Sequence, residues 1–107
     1  MAVSVSGISK PLVVIRFNQR KVHYEQSLFT AVSQAVDAKP DVVFDLVSYV
    51  PRSNDEGRNE QLMQVASAHL REVADNLVKM GIPPERLNVT SEMQPGIRFD
   101  EVHVFVR

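Results

Sequence analysis

Residues 77–89 read LVKMGIPPERLNV. This stretch ends one element and starts another. Upstream of it, Leu62, Val65, Ala66, His69, Leu70, Val73, Ala74 and Leu77 recur at the helical period, so the spacing predicts a long amphipathic helix over about 59–80. Gly81 suits the left-handed position that closes a helix, and Pro83–Pro84 forbids its resumption. Ile82 can fold back onto the last apolar turn. RLNV, 86–89, then reads as a short strand. A helix of about 20 residues is roughly 30 Å long, enough to cross a small sheet from end to end.

The rest of the chain is read outward from that junction. Before the helix lies PRSNDEGRNE (51–60), a charge-dense loop, and before that DVVFDLVSYV (41–50), a strand. Val42, Phe44, Leu46 and Val50 share one face of this strand; Val43, Asp45, Val47 and Tyr49 share the other. Two mostly apolar faces place it in the interior of a sheet. Pro40 stops a helix over about 25–37, marked by Leu28, Val32, Ala35 and Val36. PLVVIRF (11–17) is a further strand. Beyond the junction, TSEMQPGIR is a loop with a Pro95–Gly96 turn, and EVHVFVR (101–107) alternates as a last strand. The order β-α-β-α-β-β predicts an α/β two-layer sandwich: a four-stranded mixed sheet with two helices on one face.

The chain has 107 residues, 44% hydrophobic and 23% charged, with a formal net charge of −1. That is one domain with a core, and not the basic field of a nucleic-acid-binding protein. No cysteine is present, which excludes disulfides and thiolate metal sites. No apolar run approaches the roughly 18 to 20 residues that span a bilayer. The first residues, MAVSVSGISK, lack a cationic segment followed by an apolar run and read as a linker or an artificial extension over 1–10. Residues 11–107 are then the domain.

Few residues offer chemistry. His23, His69 and His103 fall on three elements without metal-ligand spacing, so no metal and no cofactor is expected. Ser48 and Ser53 lack a nucleophile elbow, and no glycine-rich phosphate loop exists, so no catalytic residue is assigned. Asp45 and His103 on the uncovered sheet face could imitate a dyad, or form a cross-strand charge pair. The same face would carry Arg16, Tyr49, His103 and Phe105 with Val14 and Val47, a candidate partner surface. SNDEG, 53–57, reads either as a binding loop or as a helix cap, since Ser53 and Glu56 have capping-box spacing and Asn59 is another cap candidate.

Leu77, Gly81, Ile82, Arg86 and Leu87, with the opening strand VVIRFN, resemble the C-terminal OmpA-like domain, the peptidoglycan-associated module of outer-membrane proteins, envelope lipoproteins and motor stators. The resemblance spans about 12–107 and implies the same β-α-β-α-β-β fold, no enzymatic activity and a periplasmic, outer-membrane-associated place in a longer exported protein. Such domains bind the diaminopimelate peptide of peptidoglycan through an Asp and an Arg. That ligand carries an ammonium and carboxylates, which a carboxylate and a forked guanidinium can hold. Counting back from Gly81 puts the Arg position on His69, the loop Gly on Gly57 and the Asp position on Asn54, with Asp55 beside it. A three-residue insertion would move the Asp position to Pro51. The Asn-Arg-Arg-Val signature of the last strand is here Phe99-Asp100-Glu101-Val102. The resemblance therefore implies Asn54, Asp55, Gly57 and His69 as a degenerate ligand site with weak peptidoglycan-peptide binding. His69 would be a pH-dependent stand-in for Arg, or a boundary histidine that simply packs. The alternative is a protein–protein assembly module on the same scaffold, with envelope proteins as partners.

Overall fold

In the computed structural model residues 10–107 are described. The reading of 1–10 as a linker therefore lies, Lys10 apart, outside the described residues. The elements follow in the order β1 (Val13–Arg16), α1 (Glu25–Ala38), β2 (Phe44–Pro51), α2 (Glu56–Lys79), a 3-10 turn (Pro84–Arg86), β3 (Leu87–Gln94) and β4 (Glu101–Val106). The four strands form one mixed sheet in the order β1-β4-β2-β3. β4 runs antiparallel to both neighbours, pairing Ile15 with Val102 and Leu46 with Val104. β3 runs parallel to β2, from Phe44↔Leu87 to Pro51↔Gln94. Both helices lie on one face, as expected.

The core lies between those layers. Phe44, Leu46, Val102 and Val104 point from the sheet toward Leu28 and Val32 of α1 and Leu70, Val73 and Leu77 of α2. α2 packs chiefly on β2. Its buried apolar residues are Ala66, Leu70, Val73 and Leu77. Leu62 is only half-buried. Val65 is 52% exposed and belongs to the solvent side. It precedes Ala66 by one residue, about 100° around the helix, so it leaves the stripe.

The junction has the geometry its residues favour. Gly81 has φ +100°. Its N–H donates to the Val78 carbonyl at 2.9 Å, and the Ile82 N–H reaches back to the Leu77 carbonyl at 3.1 Å. These are the two bonds of a Schellman cap. Leu77 and Ile82 are both buried in the same core. Arg86 then donates from Nη1 to the Pro40 carbonyl at 2.7 Å, tying this turn to the loop that precedes β2.

β3 is longer than the strand expected at 86–89. It continues to Gln94, through residues read as loop. The reason is its place at the sheet edge. Parallel pairing with β2 extends along its whole length, while Thr90, Ser91 and Glu92 stay exposed on both faces. A strand without a buried face has no alternation to read.

The Gly81→Ala variant isolates the backbone term, because a Cβ there would meet nothing within 4 Å. It should lose about 1 kcal/mol. Leu77→Ala, at a fully buried position, should lose about 2–5 kcal/mol. Urea unfolding measures both, and the glycine variant should be the milder.

Candidate functional site

The loop before α2 is built as a helix start. Asp55 is the N-cap: its Oδ1 accepts from Gly57 N at 2.9 Å and from Arg58 N at 3.3 Å. Neither Ser53 nor Asn59 caps the helix, so of the two readings of 53–57 the helix start holds but the Ser53–Glu56 box does not form. Asn59 is buried and staples the loop instead. Its Oδ1 accepts from Ser53 N at 2.8 Å, and its Nδ2 donates to Ser53 O at 3.1 Å. Asp55 is thus engaged with backbone amides. Asn54 and Gly57 are exposed beside it.

His69 lies elsewhere. It stacks on Phe17, ring centroids 4.0 Å apart and planes 5° from parallel. Its Nδ1 lies 2.7 Å from Asp100 Oδ2. Asp100 is 7% exposed. The ring therefore joins α2 to the end of β1 and the segment before β4. A small cavity of about 140 Å3 beside it is lined also by Arg20, Lys21, Glu25 and Glu72. From Asp55 to His69 the helix rises about 21 Å along its axis. Asn54, Asp55 and Gly57 do not line the cavity beside His69. The four residues placed by family position therefore do not converge on one small ligand.

A second cavity, of about 410 Å3, opens between the loop and the segment before β4. Pro51, Arg52, Ser53, Arg58 and Leu62 line one side; Ile97, Arg98 and Phe99 line the other. In sequence, Arg52 and Arg58 belong to the charge-dense loop 51–60. Arg98 lies in a turn that carries no pattern of its own. Only folding brings the three together.

On the face without helices, His103 Nε2 is 2.8 Å from Glu101 Oε1, and Arg16 Nε is 3.4 Å from Glu101 Oε2. Tyr49 meets the His103 ring edge-on at 4.5 Å, and Phe105 lies 6.3 Å beyond it. These four candidate partner-surface residues are thus neighbours, though only Arg16 is exposed. The Asp45–His103 pair does not form. Asp45 stands opposite Phe105 across the ladder. It accepts from Arg107 Nε at 2.7 Å and from Asn88 Nδ2 at 3.0 Å. Burial alone would raise the Asp45 carboxyl, but the bonds from Arg107 and Asn88 outweigh it and hold the group below the usual carboxylate range.

No protein-family model and no curated protein matches the chain. Among the described residues no group of three or more His, Asp and Glu is placed to hold a metal ion.

Two further polar features were not anticipated from sequence. The Tyr24 hydroxyl donates to Glu72 Oε2 at 2.6 Å and accepts from Asn76 Nδ2 at 2.8 Å, joining α1 to α2. Burial first, and the Glu72 hydrogen bond second, push its phenol well above the ordinary range. The second is Ser48, whose buried Oγ has no hydrogen-bond partner among the described residues.

Asn59→Ala should cost about 1–3 kcal/mol, because Ser53 loses partners for its N–H and carbonyl; thermal melting reads this. A pH effect follows from Asp45. Its folded pKa lies below the unfolded one, so its stabilisation is present above about pH 4 and is lost as pH falls through the folded value. The unfolding curves of the protein and of Asp45→Asn should therefore differ at neutral pH and converge in acid.

Proposed function

We propose that the chain is a non-enzymatic, OmpA-like domain of a Gram-negative-type cell envelope, periplasmic, that works as a protein–protein assembly module and not as a wall anchor. One observation carries the choice: the residues that would share a diaminopimelate peptide stand apart. Asp55 is engaged as a helix cap. His69, at the guanidinium position, has Asp100 at 2.7 Å. An anionic group approaching that ring meets a carboxylate already in place, where a forked cation would be needed. The supports for the envelope assignment are the helix–turn–strand junction and the element order. No helix among the described residues is long and apolar enough to cross a membrane.

The test is co-sedimentation with purified peptidoglycan sacculi, followed by titration with soluble diaminopimelate peptides while amide shifts are recorded at Asn54 and His69. The protein should stay in the supernatant, and the shifts should not saturate. Losing two charge-assisted contacts of about 1.5–3 kcal/mol each removes roughly two to four powers of ten in affinity. Saturable micromolar binding that His69→Ala abolishes would make wall anchoring the function.

A further inference from the structure

We infer that the cleft between the start of α2 and the segment before β4 docks an acidic peptide segment of a partner protein, one with carboxylates flanking an apolar side chain. This rests on the assembly-module reading and gives that partner its chemistry.

The cleft gathers Arg52, Arg58 and Arg98, and among the described residues no Asp or Glu lines it. In a chain of net charge −1 this is a local concentration of one sign. Among the described residues, none of the three takes part in an ion pair; Arg16 and Arg107 do. The positive end of the α2 dipole adds to the same field. Glu56 and Glu60 flank Arg58 in the chain but do not line the cleft, and the N-cap Asp55 turns its Oδ1 to the helix amides. Arg98 has its Cζ 5.8 Å from the centre of the Phe99 ring. Phe99 itself is 44% exposed.

Those observations select among anions. Guanidinium forks match carboxylates in pairs of parallel hydrogen bonds. A bare phosphate would satisfy the charge but leave Leu62, Ile97 and Phe99 unused, whereas a peptide can place an apolar side chain on them. A diaminopimelate peptide brings an ammonium, and this lining has no carboxylate to receive it. Nucleic acid is disfavoured by the overall charge of the chain.

The probe is a fluorescein-labelled decapeptide of Asp and Glu around a central Leu-Phe pair, followed by anisotropy with the full chain. Saturable binding that weakens as salt rises is expected. Arg52→Gln and Arg98→Gln should each weaken it about tenfold or more. Phe99→Ala should weaken it with the salt dependence kept. Arg71→Gln, on the exposed side of α2, should leave it unchanged, and melting curves should show every variant folded. The inference is overturned by absence of saturable binding, or by both cleft variants binding as tightly as the unaltered protein. It is also overturned if a single-stranded oligonucleotide or a soluble diaminopimelate peptide binds more tightly through the same arginines. Sacculus binding would sink the assembly-module reading itself; a failed peptide titration with no sacculus binding would sink only the cleft's assignment.

Discussion

The hydrogen bond from the Ile82 N–H to the Leu77 carbonyl, closed over the left-handed turn at Gly81, sets where the long helix stops. Everything downstream takes its position from that stop. Ile82 is drawn into the core beside Leu77, and Arg86 is tied to the Pro40 carbonyl. The chain therefore re-enters the sheet next to β2, running parallel to it. From that edge, the only strand left must return across the sheet, and β4 fills the gap between β1 and β2. Small shifts at the cap would move β3 relative to β2, and a slip of one residue would exchange its two faces.

This dependence explains why the architecture was legible. Leu70, Val73 and Leu77 repeat at the helical period, Val102 and Val104 alternate, and Gly81 with two prolines punctuates. Each of these local preferences agrees with the global fold. Where local and global diverge, the reading fell short. β3 has no buried face, so its second half looked like loop. Val65 fits the period loosely but falls off the stripe. For 53–57 the sequence left a binding loop and a helix cap open, with Ser53 and Asn59 as cap candidates, while the fold caps with Asp55 and turns Ser53 toward Asn59.

The site was much less legible, for a physical reason. Its decisive pairs are long-range: His69 with Asp100, Tyr24 with Glu72, Arg107 with Asp45. No periodicity links such positions. The uncovered sheet face shows this most plainly. Asp45 and His103 looked suited to one another by type and face, yet each found a different partner, because the register placed Phe105 opposite Asp45 and Val47 opposite His103. The cationic cleft has the same origin, since Arg98 reaches it only through the return from β3 to β4.

The two tyrosines carry a practical consequence. The chain has no tryptophan and two tyrosines. Tyr24 is held between the helices by Glu72 and Asn76, and Tyr49 lies against His103 on the opposite side of the sheet. Tyrosine emission therefore comes from one residue on each side of the sheet. Replacing either by phenylalanine leaves a domain whose tyrosine emission watches a single side: the seam between the helices in one variant, the helix-free face of the sheet in the other. Events on the two sides can then be followed separately, without any attached label.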